Sequence, residues 1–512
     1  MVWKIDDPQG DEAAKIRWEL VEYTNGRGLD LGCGQFKAFP HFTGVDNGHH
    51  WGMKGVDVHV DTCENLDIFA SNSMDFIFSS HLLEHIVDYK SALKEWYRVL
   101  KVGGKFILYL PHKELYPNVG TEGANTDHKH DFMPEDIISA MKDIGSWDLV
   151  RNETRSEGRE YSFFQIYEKI KEEEHEYNHK KMVVHKYSYQ NLKPKKTCVV
   201  VRYGAFGDLI QASSLFPLLK NQGYHVTLNT TTNGYEIAKN DPNIDKFIIQ
   251  FTDQVPNHAL PAYWEYIKGK YDKFVNLSES VEGALLSIPG RTSHTWPKNL
   301  RHKMQNVNYN EFAHDLAGLP HKFDQKFYPT EEEKEWAKKE KENIGGKVVL
   351  WSLSGSSVHK TWPYLDSVIA KIMLETKDVK VVLCGDELCK LLEQGWEKEP
   401  RVICKSGIWS IRESLTFAQI ADVVVGPETG LLNAVGMEEV RKVITLSHSS
   451  KENLTKHWKN VKVLEPKTEC YPCHMMHYSF EHCKRNEETG CAQCQADITP
   501  VEVYEAIKKA LR

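Results

Sequence analysis

Short apolar strands alternate with amphipathic helical stretches along most of this chain. That alternation restricts it to α/β folds built on parallel sheets. Val199-Val200-Val201 and Val348-Val349-Leu350-Trp351 are typical strands, each running into a loop of glycine or serine. The chain has 512 residues. A single ordinary core does not hold so many, and roughly three or four compact units are expected.

The pattern sets the boundaries. Residues 1–168 form a first α/β unit, and the charge-rich stretch 169–196 reads as a linker with an exposed helix. A new strand opens at Cys198, beginning a second α/β segment over 197–335. Glu331 to Lys341 reads as a solvated helix. After Gly345-Gly346 another strand starts the last segment, 336–512, which ends in a helix from Val501 to Leu511 capped at Thr499-Pro500. No internal repeat or low-complexity tract interrupts this order.

The net charge of -8 leaves no basic excess to neutralise a phosphate backbone, which argues against nucleic acid as a partner. No apolar run is long enough for a transmembrane segment, and the first residues lack the pattern of a signal peptide. A cytoplasmic location is expected, with peripheral contact to a membrane-bound acceptor left open.

Gly28-Leu29-Asp30-Leu31-Gly32-Cys33-Gly34 reads as a strand entering a glycine turn, where backbone can approach a ligand closely. A helix start after the turn would aim its amides at that ligand. Asp46 ends the next strand at the spacing of a carboxylate that takes ribose hydroxyls, and Asp61 follows a third strand. A fourth strand, Ser73 to Ser80, leads to the helix His81-Leu82-Leu83-Glu84-His85. Lys101 to Lys105 then makes a turn before the strand Phe106 to Leu110. This set resembles the class I S-adenosylmethionine-dependent methyltransferases over roughly residues 25 to 165. The resemblance rests on Asp30 to Gly34, Asp46, Leu83 to His85 and Arg98 to Gly104. It implies a Rossmann-like domain that binds S-adenosyl-L-methionine. Asp30, Gly32 and Gly34 would shape the methionine end, Asp46 the ribose and Asp61 the adenine, with His81 and His85 flanking the pocket. A hydroxyl acceptor calls for a base. His112, His128 and His130 are the candidates, against the plainer reading of each as a loop residue.

In Arg202-Tyr203-Gly204-Ala205-Phe206-Gly207-Asp208, the carboxylate of Asp208 falls near a helix start. It can cap that helix or, kept ionised there, serve as a general base. Trp351 to Ser357 is a second strand with a serine loop, followed by His359-Lys360-Thr361-Trp362-Pro363. A third strand ends at Gly426-Pro427-Glu428-Thr429-Gly430. Hydroxyls, a lysine and helix-start amides suit a diphosphate. Together the segments resemble glycosyltransferase family 9, the heptosyltransferase-like enzymes, through Gly207-Asp208, Lys360 to Pro363 and Glu428 to Gly430. The resemblance implies a GT-B fold of two Rossmann-like halves, acceptor half first, and inverting transfer from a nucleotide sugar without a catalytic metal. Asp208 is then the base, and Ser354, Lys360, Thr429 and Gly430 hold the donor, with Glu428 beside them. Glu428 replaces the family's usual aspartate and Asn433 stands where histidine is common, so the donor sugar stays open. Asn276 to Glu282 lines the acceptor side or caps a helix.

Five of the eleven cysteines crowd between Cys470 and Cys494. Cys470-x2-Cys473 and Cys491-x2-Cys494, seventeen residues apart, have the spacing of a structural zinc site. Cys483, His474, His477 and His482 are further ligand candidates, and reduced thiols clamping a loop are the plainer reading. The whole reads as a bifunctional enzyme that methylates and glycosylates a glycan, lipopolysaccharide-like in kind. The alternative is a methyltransferase carrying a non-catalytic glycan-binding GT-B module.

Overall fold

The computed structural model describes residues 12–49, 52–171, 196–251, 254–278, 285–290 and 292–512. Contacts divide the chain into two compact units, Met1–Lys193 with Ile248–Lys270, and Pro194–Phe247 with Tyr271–Arg512. Most of the expected linker, the first eleven residues and Glu279 to Ala284 lie outside the described residues.

The first unit is built on strands β1 (Gly28–Leu31), β2 (Thr43–Asp46), β3 (Val58–His59), β4 (Met74–Ser80), β5 (Leu100–Pro111), β6 (Trp147–Arg155) and β7 (Ser162–Lys169). They form one sheet in the order β3-β2-β1-β4-β5-β7-β6. Strands β1 to β5 are parallel, and β7 runs antiparallel between β5 and β6. The central strands read as continuous apolar runs because both faces are covered: all four residues of β1 are buried. The helix Tyr89–Val99 covers one face with Ala92, Leu93, Trp96 and Val99, and Asp88 caps it by accepting from Ser91 N. Residues 248–270 add the helix Leu260–Lys268, whose Tyr263 ring lies 5.8 Å from that of Trp18. Gln254 Nε2 there donates to Val21 O and Thr24 Oγ1.

Two local expectations are corrected. No helix follows the glycine turn of β1; residues 32–42 are turns and bends. Phe39 and Phe42 are buried there on either side of Pro40, which lacks a backbone N–H, so the crossover packs by its aromatic rings. The turn expected at Lys101 to Lys105 is instead part of β5. The strand runs on through a register shift against β4 between Met74 and Phe76, with Gly103 at φ +80°.

The second unit holds two sheets. Strands β8 (Thr197–Val201), β9 (His225–Thr231), β10 (Lys246–Gln250) and β11 (Lys273–Asn276) are ordered β10-β9-β8-β11. Strands β12 (Lys347–Ser352), β13 (Val379–Cys384), β14 (Val402–Cys404), β15 (Val423–Pro427), β16 (Arg441–Thr445) and β17 (Val461–Leu464) are ordered β14-β13-β12-β15-β16-β17. All pairs in the second sheet are parallel. The architecture is α/β, a Rossmann-like unit followed by a second unit built on two further α/β sheets. The helix Glu331–Ile344 is capped by Thr330 and Glu333, and Pro500–Ala510 by Thr499 and Glu502, as their sequences predict. Among the described residues no helix is long and apolar enough to cross a membrane.

In each sheet the strand order reverses direction beside the first strand: between β1 and β4, between β8 and β11, and between β12 and β15. Loops leaving the carboxyl ends of such neighbours diverge to opposite faces and open a crevice, where α/β folds bind ligands.

Candidate functional site

At the β1/β4 crevice, Gly32 and Gly34 take φ of +72° and +51°. A Cβ on Gly32 would stand 2.9 Å from Leu82 Cβ, so the turn fits only as glycine. Asp30, buried in β1, accepts from Ala38 N at 2.7 Å and fixes the far end of the loop. Asp46 ends β2 and bridges two turns, Oδ2 accepting from Gly34 N at 3.0 Å and Oδ1 from Gly48 N at 2.7 Å. Each oxygen keeps a further lone pair for a ligand hydroxyl. Asp61 is exposed, two residues beyond β3.

The loop after β4 turns sharply at His81, whose φ is +50°. Its Nε2 lies 3.0 Å from Ser162 Oγ, and burial pushes its pKa down to about 3. His81, His85 and His128 surround the buried carboxylate of Glu84. The expected helix here is only a single turn, Leu83–His85. His112 is buried but engaged in its own turn, with Nδ1 accepting from Glu114 N at 3.1 Å. His130 Nε2 lies 3.1 Å from Val87 O.

In the second unit the short helices Phe206–Ala212 and Gly430–Ala434 meet glycine to glycine. A Cβ on Gly430 would stand 2.9 Å from Phe206 Cβ and 3.1 Å from Gly207 N. This contact brings Asp208, in the first turn of one helix, close to Thr429 and Gly430 at the start of the other. Asp208 Oδ2 accepts from Ala205 N at 2.8 Å, so it caps its helix. Its Oδ1 pairs with the buried Arg202 at 2.9 Å. Asn433 is occupied in holding the helices together: Oδ1 accepts from Gln211 Nε2 and Nδ2 donates to Thr429 O.

Lys360 is buried beneath the serine loop, and a Cβ on Gly355 would meet its Cδ at 2.7 Å. Burial pushes its pKa down, against the opposing pull of the Glu428 and Asp208 charges. Ser354 Oγ and Thr361 Oγ1 are 2.8 Å apart, and Ser352 Oγ lies 3.2 Å from Thr429 Oγ1. Glu428 is buried; Oε1 accepts from Ser447 N at 2.6 Å and Ser449 N at 3.2 Å, and Oε2 lies 2.5 Å from His448 Nδ1. Burial pushes this carboxyl up, but His448, Lys360 and the Ser447 amide outweigh it, and its pKa falls below the ordinary value. Tyr309 belongs to the same group. Burial raises its phenol first, then the charges of Glu428 and Asp208. Arg202 stands in the loop that carries Asp208, a signal within reach of the sequence. Tyr309 and His448 have none, because each arrives from a distant element.

Cys470, Cys473, Cys483 and Cys494 line a cavity of about 520 Å³ together with His477 and His482. Cys491 is not among its lining residues. His359 and Ser447 also line it and are linked at 2.8 Å, which carries the wall of the cavity to the amide that holds Glu428.

The buried imidazoles here set an acid limit. Burial, reinforced by the cationic neighbours His294, His448, His482 and Arg301, pushes His477 down to about 4. Burial pushes His474 down to about 3, with His302, His448 and Arg301 adding to it and Glu428 opposing. Unfolded, both titrate near 6.5. Between those values the unfolded chain binds more protons than the native one, so stability is lost as pH falls through the window. The melting temperature of the chain should drop progressively from about pH 6.5 to about pH 4, and His477→Gln should flatten that drop. A melting temperature constant across the window contradicts burial of neutral rings.

The family described as "Methyltransferase domain" matches residues 29–108. No curated protein matches the chain. Among solved structures, the glycosyl transferase family 9 protein of Veillonella parvula DSM 2008 is 15% identical, with 62% of this chain and 97% of that chain covered, at a TM-score of 0.46. The E. coli ADP-heptose lps heptosyltransferase II is 16% identical over 62% of this chain and 98% of its own, at 0.44. A putative S-adenosylmethionine dependent methyltransferase from Listeria monocytogenes is 16% identical over 31% of this chain and 100% of its own, at 0.26. The family match over residues 29–108, lying on the sheet ordered β3-β2-β1-β4-β5-β7-β6, identifies a methyltransferase domain in the first unit.

Proposed function

We propose that the chain is a bifunctional cytoplasmic transferase. The first unit methylates from S-adenosyl-L-methionine. The second transfers a sugar from a nucleotide sugar to a glycan acceptor of the lipopolysaccharide kind. The observation that carries the second activity is the meeting of Asp208, Lys360, Glu428 and the Gly430 helix start at one crevice.

In the first unit the glycine turn and Asp30 would receive the methionine end, Asp46 the ribose and Asp61 the adenine. Positive φ at Gly32 and Gly34, and lone pairs left on Asp46, fit that ligand. The bound cofactor supplies a methyl group already activated as a sulfonium, so aligning the acceptor is the main task of the protein. His128 is better placed than His112 to take a proton, since the Nδ1 of His112 is held by its turn. In the second unit Ser354, Lys360, Thr429 and Gly430 would hold the diphosphate, where a cation and amides stabilise the leaving group of an inverting transfer. Glu428 lies on the donor side and Asp208 takes the acceptor proton. A structural zinc on Cys470, Cys473, Cys491 and Cys494 is proposed from their spacing alone; among the described residues the side chains close enough to share an ion are Glu84, His85 and His128.

One observation favours the alternative of a non-catalytic glycan-binding module: both Asp208 oxygens are engaged, by Ala205 N and by Arg202. Transfer assays on Asp208 variants separate the two readings. For the first unit, calorimetry should detect S-adenosylhomocysteine binding that Asp46→Ala weakens about tenfold or more, the worth of one charge-assisted hydrogen bond. Unchanged affinity in that variant removes Asp46 from the pocket.

A further inference from the structure

Glu84 presents a problem that methyl transfer by alignment alone leaves unsolved. Its side chain is fully buried, and neither carboxylate oxygen has a hydrogen-bond partner among the described residues. A buried carboxylate without a partner is unfavourable unless it is protonated or meets a cation. Three imidazoles surround it: Oε1 lies 3.7 Å from His81 Nδ1, 3.9 Å from His85 Nε2 and 3.9 Å from His128 Nε2. One ligand atom from each of Glu84, His85 and His128 can be chosen so that all lie within 4.8 Å of one another.

The convergence is built by backbone. Glu84 and His85 belong to the turn after β4, whereas His128 comes from the loop between β5 and the helix Pro134–Lys142. Lys129 N and His130 N both donate to Glu84 O, at 2.7 and 3.2 Å, which clamps that loop to the turn. The rings of His85 and His128 meet edge to face with centroids 4.7 Å apart.

We propose that Glu84, His85 and His128 bind a divalent first-row transition-metal cation that positions and activates a hydroxyl acceptor for methyl transfer. Two imidazoles and one carboxylate are a donor set that such ions favour, and three protein ligands leave positions open for substrate. Bonds of about 2.0–2.2 Å place two ligands on one ion roughly 3–3.5 Å apart, so donors now within 4.8 Å of one another draw in by roughly 0.5–2 Å on binding. The location suits the role. Leu82, two residues before Glu84, is the residue packed against Gly32 of the proposed cofactor turn. The two loops leave the neighbouring parallel strands β1 and β4 at the reversal of strand order. With the cation bound, His128 is a ligand in place of a base: the cation lowers the pKa of a bound hydroxyl, whose proton passes to water. The oxygen forms its bond to the methyl carbon as the carbon–sulfur bond breaks, and the electron pair stays on sulfur. A glycan offering adjacent hydroxyls, able to chelate through the open positions, is the acceptor class.

This inference rests on the methyl-transfer reading, and the test keeps the two apart. The full chain is stripped with a chelator and titrated with Mn2+, an ion that prefers oxygen and nitrogen donors to the thiolates of the second unit. Free Mn2+ is followed by electron paramagnetic resonance in wild type, Glu84→Gln and His128→Gln. One site is expected in the wild type, weakened at least tenfold in either folded variant. Absence of that site, or affinity unchanged in the variants, overturns the proposal. S-adenosylhomocysteine binding on the same samples reports the cofactor pocket separately. Cofactor binding without Mn2+ binding sinks the metal site alone. Mn2+ binding without cofactor binding leaves the ion site standing and removes its proposed use.

Discussion

Replacing Lys360 with methionine should weaken nucleotide-sugar binding about a hundredfold while the second unit stays folded. The cation lies buried beneath the serine loop, between the charges of Glu428 and Asp208. A diphosphate entering this crevice brings negative charge to a desolvated ammonium group. Truncating one partner of such a pair costs about 2–5 kcal/mol, of which roughly 2.7 kcal/mol corresponds to a hundredfold in affinity. Methionine keeps the apolar stem that packs on Gly355, so the loop loses charge without losing its contact. Glu428 is not stranded, because Ser447 N, Ser449 N and His448 still hold it. Arginine is a poor substitute, since a larger planar head does not fit where Gly355 already touches the lysine stem. Calorimetry with nucleoside diphosphates across the variants checks this. Equal affinity in wild type and Lys360→Met would mean that the lysine serves the fold alone.

The crevices were legible in the sequence because glycine, serine and carboxylate must stand at strand ends for local reasons. Gly32 needs its positive φ, and Asp208 needs the first turn of a helix. Capped helices were equally plain, since Thr330 with Glu333 and Thr499 with Glu502 satisfy their own backbone. What escaped depends on residues far apart in the chain. The loop after Gly34 forms no helix because Phe39 and Phe42 find a core to enter, a fact of packing rather than of propensity. Gly103-Gly104 looks like a turn, yet β4 lies alongside and carries the strand through. Tyr309 and His448 reach the second crevice from elements with no motif of their own. In sequence Glu84 reads as part of a helix start; only its burial, with His128 brought from another loop, sets it apart.

The amide variant Asp208→Asn should lose glycosyl transfer by about a hundredfold to ten-thousandfold, the contribution of a positioned general base, while nucleotide-sugar affinity changes little. The distinction matters because Asp208 has three tasks open to it. It caps the helix Phe206–Ala212 through Ala205 N, it neutralises the buried Arg202, and it stands within the crevice with about a third of its side chain (32%) exposed. Asparagine can still accept the capping hydrogen bond, so this variant spares the cap, whereas Asp208→Ala gives it up at about 1 kcal/mol. Neither replacement neutralises the buried Arg202, whose Nη1 still reaches Leu277 O at 3.4 Å. Both variants should therefore melt lower than wild type, alanine lowest, and both should bind donor. A role confined to cap and ion pair predicts a different order: transfer would follow stability, and the asparagine variant would keep most of it. A role as base predicts that both lose transfer alike despite their unequal stability. Measured turnover of nucleotide sugar, set beside the melting temperatures of the two variants, decides between a working transferase and a glycan-binding module built on the same sheets.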